Sequence, residues 1–245
     1  AGRDQVQFLN DYASESRRRI RRVALLHENT DFGTSTALAQ KKALADQGYA
    51  VSADISYAAE GIRDLGPAVN RVLASNPDAI LTVTYFNDSV LIFRSLAAKR
   101  VKIPVVDTAG GTVSTEFITT LGRDAENIFT SAEYSKYTSS GRELNRRFRQ
   151  RYGIDITGDS AYAYQSLFVV KDALERSATT NKKKLRDAIA STDMVHGTNM
   201  ILPAERIRFN HEGQNEFARL YIVQIQNGEY IPVWPGEYSA GRIKY

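Results

Sequence analysis

The chain has 245 residues, 42% of them hydrophobic and 24% charged, with a net charge of +4, proportions that exclude a disordered or fibrous class. It has no cysteine, which excludes a disulfide framework and any zinc or redox centre built on thiolates. No apolar run approaches the roughly 18 residues that a membrane-spanning helix needs.

The positive charge is concentrated. Arg17, Arg18, Arg19, Arg21 and Arg22 fall together, and Arg146, Arg147, Arg149 and Arg151 form a second cluster. The first group sits at the end of a predicted helix, where cations complement the helix dipole. The second lies on the polar side of a helix whose apolar stripe is Leu144, Phe148 and Tyr152. Both read as solvated faces. A nucleic-acid partner would call for a basic face interleaved with aromatics, or a known motif, and the sequence has neither.

From Val23 onward, short β-like runs alternate with helical stretches. The runs are VALLH (23–27), AVSADISY (50–57), AILTVT (79–84), IPVV (103–106) and NIFTSA (127–132). Between them, 35–47, 65–74, 89–99 and 115–121 space their apolar residues by three and four. Strands separated by helices of this length predict right-handed βαβ units and a parallel sheet covered on both faces. The near-continuous apolar runs at 23–27 and 79–84 fit strands buried on both sides.

After Tyr134 the character changes. Helices are predicted at 139–152, capped by Ser139 or Ser140, at 159–177, and at 181–191. The second has a broad apolar surface: Tyr162, Leu167, Val170 and Leu174, widened by Ala161, Phe168 and Val169. A strand at 207–209, a turn at 210–213, and strands at 217–226 and 229–234 complete the pattern. Asn227-Gly228 marks the hairpin, because a type I′ turn needs positive φ at both central residues.

Some motifs suggest chemistry and lack its other parts. Asp107-Thr108-Ala109-Gly110 echoes a GTPase switch, but no Gly-rich loop ending in Gly-Lys-Ser/Thr accompanies it. Asp31-Phe32-Gly33 echoes the kinase magnesium loop without the other kinase motifs. His27, His196 and His211 have no positioned partner in sequence and read as structural. Glu28 and Asp31 read as local caps. The sequence shows no nucleophile–base arrangement and calls for no cofactor or metal; the expectation is a non-enzyme.

The segments RELNRRFRQRYG (142–153), SAYAYQSLFVVKDALERS (160–177) and IRFNHEGQ…LYIVQIQNGEYIPVWP, in that order, resemble the type I periplasmic solute-binding proteins of ABC importers, in the branched-chain amino acid (Leu/Ile/Val) branch. The resemblance implies an α/β fold: a Rossmann-like parallel-sheet lobe, with helices and a C-terminal hairpin from the returning segments. It covers the C-terminal two-thirds of such a protein, so most of a first lobe is expected to precede Ala1. The implied organisation is a crossover helix at 1–20, the second-lobe α/β domain at 21–134, helices that would pack on the first lobe at 135–200, and returning strands at 201–245. Hinge crossings are expected near 131–137, near 201–206 and upstream of residue 20.

Ligands of such sheets collect beyond the carboxyl ends of the strands, and three loops leave those ends: 27–33, 85–88 and 107–112. The resemblance places Phe32, Tyr85 or Phe86, and Asp107, Thr108, Ala109 and Gly110 against a small-molecule ligand, an amino acid or related carboxylate. Ungapped counting favours Phe86 over Tyr85. Where amino acid binders present a carboxylate to the ligand ammonium, this chain has Ala109. Either Asp107 takes that role or the ligand lacks an α-amino group. Each residue also has a plainer reading: Phe32 as the apolar end of a helix cap, Tyr85 and Phe86 as core, Asp107 as a turn residue.

By the same resemblance the partners are a solute and a membrane permease, and the location is periplasmic. A ligand-sensing domain with the same fold is the alternative. The apolar stripes on 139–152 and 159–177 lead to the expectation of a homodimer, or of packing on remnants of the first lobe.

Overall fold

In a computed structural model, residues 2–108, 110–195, 200–204 and 206–245 are described, and they divide into two units. The first comprises Ala1–Ala132 with Tyr221–Tyr245, the second Glu133–Leu220. The chain thus passes between units after Ala132, within the expected 131–137, and again after Leu220 rather than near 201–206.

The first unit is a doubly wound sheet. Its elements run α1 (Gly2–Ser16), β1 (Arg22–Glu28), α2 (Asp31–Asp46), β2 (Ala50–Tyr57), α3 (Gly66–Ala74), β3 (Ala79–Val83), α4 (Phe86–Ala98), β4 (Val105–Thr108), α5 (Thr115–Leu121) and β5 (Phe129–Ala132). The strands lie in the order β2-β1-β3-β4-β5, all parallel. The order turns back at β1, whose neighbours are β2 on one side and β3 on the other.

Two strands from the end of the chain extend the sheet, β8 (Tyr221–Gln226) antiparallel to β5, and β9 (Glu229–Trp234) antiparallel to β8. They return the chain to the first unit. Asn227 and Gly228 have φ of 54° and 74°, as the hairpin signal requires. The carboxylate of Glu126 accepts hydrogen bonds from both of their backbone N–H groups.

Side chains alternate between the two faces, as the two-residue period of a strand dictates. Val23 and Leu25 of β1 and Leu81 of β3 join Val6, Phe8, Leu9 and Tyr12 of α1 and Leu44 of α2 in one core. Ala24 and Leu26 face the opposite core, with Val69 and Val72 of α3, Ile92, Phe93 and Leu96 of α4, and Phe117 of α5. Residues 1–20, expected as a crossover helix, hold α1, whose apolar residues belong to the first core. That helix ends at Ser16, so Arg17–Arg21 lie beyond it in the connection to β1, and Arg22 opens β1.

The second unit holds α6 (Ser139–Tyr152), α7 (Gly158–Ser177), α8 (Lys182–Ala190) and a two-stranded ribbon of β6 (Asp193–Val195) and β7 (Arg206–Arg208). The cap of α6 is Thr138, whose hydroxyl accepts from Gly141 N–H, rather than Ser139 or Ser140. Asn181 caps α8 through the N–H groups of Lys183 and Lys184. Leu144 and Phe148 pack with Tyr134, Ile156, Ala161 and Ile201, which accounts for part of the apolar stripe. Leu167, Val170 and Leu174 remain 64%, 37% and 37% exposed. Of the three histidines, His196 lies outside the described residues.

Phe8 is the anchor of the first core. It is fully buried, with ring centroids 5.1 Å from Phe129 and 6.4 Å from Trp234. Phe8→Ala is expected to cost roughly 3–5 kcal/mol, the range for truncating a buried aromatic, read as a lower urea midpoint with an unchanged slope.

Candidate functional site

The carboxyl ends of β1, β3 and β4 carry the site, at the point where strand order reverses and ligands of open α/β sheets collect. β1 ends at Glu28, which is fully buried. Its carboxylate accepts the Thr30 N–H at 2.5 Å and the Thr30 hydroxyl at 2.9 Å, turning the chain into the first turn of α2. The role of Glu28 is that of a local cap, as its spacing suggests. Gly33 follows because a Cβ there would lie 2.1 Å from the Glu28 carbonyl oxygen and 2.5 Å from its carboxylate.

The turn sets Phe32 at the rim, where its ring meets Tyr85 at a centroid separation of 5.8 Å. Tyr85 follows β3, is 44% exposed, and its hydroxyl lies 3.3 Å from that of Thr30. The next residue, Phe86, turns away and packs against the core formed by α3 and α4. Of the two aromatics in this loop, Tyr85 stands at the rim and Phe86, the one favoured by counting, against the core. The loop after β4 closes against both. A Cβ at Gly110 would stand 2.7 Å from the Thr84 carbonyl oxygen and one at Gly111 2.2 Å from that of Tyr85. Only residues without a side chain allow this approach. Gly110 is exposed, and Ala109 lies outside the described residues.

Asp107 is placed behind this rim. It is completely buried, and its carboxylate accepts hydrogen bonds from Thr82 at 2.6 Å, Thr84 at 3.1 Å and Thr112 at 2.7 Å. Its two oxygens are thus occupied by hydroxyls of β3, of the residue after β3, and of the loop after β4. Thr108, 4% exposed, faces the other side of the sheet. Its hydroxyl accepts from Gln5 of α1 at 3.0 Å and Gln40 of α2 at 3.2 Å. The Gln5 amide also donates to Ser131 and to the Asp107 carbonyl. None of these partners carries a sequence signature, since each is one Thr, Ser or Gln among many.

A third buried carboxylate, Asp88, opens α4 and accepts the Tyr57 hydroxyl at 2.5 Å. Burial raises the pKa of both groups, the hydrogen bond acting against this at Asp88 and with it at Tyr57. Tyr230 of β9 supports the far side of the loop after β4, donating to the carbonyls of Thr112 and Ser114. His27 lies between the Glu28 carbonyl and the Asp54 carboxylate, at 2.9 and 3.1 Å, a structural place. Among the described residues no cluster of three or more His, Cys, Asp or Glu has the arrangement of a metal site.

Burial pushes the Asp107 carboxyl up to about 7, against the threonine hydroxyls that favour its charged form; nearby Asp88 adds to the rise. A carboxyl whose folded pKa is raised stabilises the fold most fully below its unfolded value, near 4, and loses that contribution as pH rises through about 7. Asp107→Asn removes the titration. Between pH 4 and pH 8 the variant is expected to gain on the parent chain by on the order of 3 kcal/mol. Urea melts at the two pH values measure this, and a constant gap would contradict it.

A family model described as periplasmic binding protein matches residues 3–229. The Leu/Ile/Val-binding protein homolog 7 of Brucella melitensis biotype 1 is 22% identical over 231 residues, which cover 91% of this chain and 57% of that protein. The chain therefore spans about 57% of the length of the curated relatives it matches. A leucine binding protein from Thermotoga maritima superposes with a TM-score of 0.78 at 18% identity, over 93% of this chain and 63% of that one. The branched-chain amino acid transporter substrate binding protein of Streptococcus pneumoniae, solved in complex with isoleucine, gives 0.72 at 20% identity, over 94% and 62%. At these identities the solved structures show a shared fold. The family match extends over most of the sequence, and the chain belongs to the periplasmic binding protein family.

Proposed function

We propose that the chain serves in the extracytoplasmic solute-binding component of an ABC importer, where the carboxyl-end rim of its first unit grips an amino acid or related small carboxylate. The observation that carries this reading is the meeting of Phe32 and Tyr85 beside Gly110, at the reversal of strand order. Two aromatic faces and a residue without a side chain make a surface suited to a small, partly apolar solute. The names of the relatives, a Leu/Ile/Val-binding protein and a transporter substrate binding protein, agree with such a solute, and the partner in this reading is a membrane permease that receives it. The family supports a non-enzymatic role and a periplasmic or extracellular location.

The roles of the loop residues divide in this reading. Phe32, Tyr85 and Gly110 touch the solute, with Phe86 backing them. Asp107 and Thr108 hold the loop from beneath. With its oxygens taken by three threonines, Asp107 is not free to meet a ligand ammonium. Of the two ways of accommodating Ala109, this favours a ligand whose α-amino group is absent or is bound elsewhere.

Isothermal titration with leucine and with 4-methylpentanoate, its analogue without the ammonium, tests the reading. The analogue is expected to bind at least as tightly as leucine. Tyr85→Ala is expected to weaken binding about tenfold, the scale of one aromatic contact. Leucine binding that is much tighter and is lost in Asp107→Ala would overturn the assignment.

A further inference from the structure

The opposite edge of the same sheet is as distinctive as the carboxyl-end rim. The connection from α1 to β1 contributes Arg17, Arg18, Arg19 and Arg21, and β1 opens on Arg22, all exposed. The connection from α4 to β4 adds Lys99, Arg100 and Lys102, also exposed. The two connections are tied together, since the Arg18 guanidinium donates to the Lys102 carbonyl at 3.0 Å. Arg22 reaches sideways to the turn before β3, donating to the carbonyls of Ser75 and Asn76. Eight cations therefore share one rim of the sheet.

Little on that rim neutralises them. Asp78 lies among them, held by the backbone N–H groups of Arg21 and Arg22, and sets one negative charge against the eight positive ones. Among the described residues none of the eight side chains is in an ion pair. Arg17, Lys99 and Arg100 adjoin the C-terminal ends of α1 and α4, where cations complement the helix dipole, but the other five lie further along the chain. Elsewhere in the chain the pattern differs: in the second basic cluster, Arg146 pairs with Glu143 and Arg149 with Asp155. A concentration of like charge that the fold leaves uncompensated repels itself and lowers stability.

We infer that this rim is an electrostatic docking surface for an anionic phospholipid bilayer. A bilayer meets a spread of cations without requiring a groove, and each Lys or Arg near an anionic surface strengthens binding severalfold. A nucleic acid fits less well, because segments 17–22 and 99–104 contain no aromatic residue on which a base could stack. The rim is the edge opposite the proposed solute site, so a lipid contact here would leave the loops after β1, β3 and β4 open. The inference does not depend on solute binding, and the two fail separately.

Co-sedimentation with vesicles decides it, using phosphatidylcholine alone and phosphatidylcholine mixed with phosphatidylglycerol. The chain is expected to bind only the mixed vesicles, and to release as salt rises, since exposed charges are screened. The triple change Arg19→Gln, Arg21→Gln and Lys102→Gln removes side chains that make no side-chain hydrogen bond among the described residues, and is expected to keep or slightly raise the melting temperature. It should weaken binding on the order of a hundredfold. A matched control, Lys182→Gln, Lys183→Gln and Lys184→Gln on α8, removes the same charge from the second unit and should change binding little. Equal binding to neutral vesicles, no binding to anionic ones, or an equal loss in the control would overturn the inference. So would tighter binding to a single-stranded oligonucleotide than to the mixed vesicles.

Discussion

The buried carboxylate of Asp107 is the constraint on which the site depends. A carboxylate withdrawn from water is costly unless its oxygens are hydrogen-bonded, and here Thr82, Thr84 and Thr112 supply those bonds. Satisfying it fixes the end of β3, the end of β4 and the loop that follows β4 in one arrangement. The positions of Tyr85 and Gly110 follow, because Tyr85 comes directly after Thr84 and Gly110 lies between Asp107 and Thr112. The rim is thus held from below by a polar cluster, while the aromatic pair on it stays accessible.

The other face of the sheet carries a matching polar layer. Gln5 and Gln40 cross-link α1 and α2 to Thr108 and Ser131. Polar groups of this kind, buried and mostly satisfied, specify one arrangement of helix on sheet more sharply than apolar contact does. They also make α1 part of the site's support. The apolar residues of that helix seal the first core, and its one buried glutamine reaches under β4 and β5.

Much of the fold was legible because parallel sheets have a strong signature. The runs at 23–27 and 79–84 are nearly continuous in apolar residues, and both became central strands buried on each face. The Asn227-Gly228 hairpin was legible for a stereochemical reason. Boundaries were less so. Helix α4 begins at Phe86, three residues earlier than its apolar spacing suggests, because its first turn carries Asn87 and Asp88. The place of the last two strands was hidden as well, since pairing of β8 with β5 joins residues far apart in sequence. The candidate site was legible as loops but not as roles: strand-end position pointed to Phe32, Tyr85 or Phe86, and Asp107, yet burial separates the rim from its foundation. No local pattern distinguishes an aspartate that meets solvent from one enclosed by three threonines.

The central claim, that the rim formed by the loops after β1, β3 and β4 receives a small solute, is tested most directly by nuclear magnetic resonance. Backbone amide resonances of the labelled chain would be followed during titration with leucine and with 4-methylpentanoate. The account predicts that the largest shifts fall within 29–33, 84–87 and 110–112, with the arginine-rich opposite edge unmoved. Shifts confined to that edge or to the second unit, or none at millimolar solute, would contradict it.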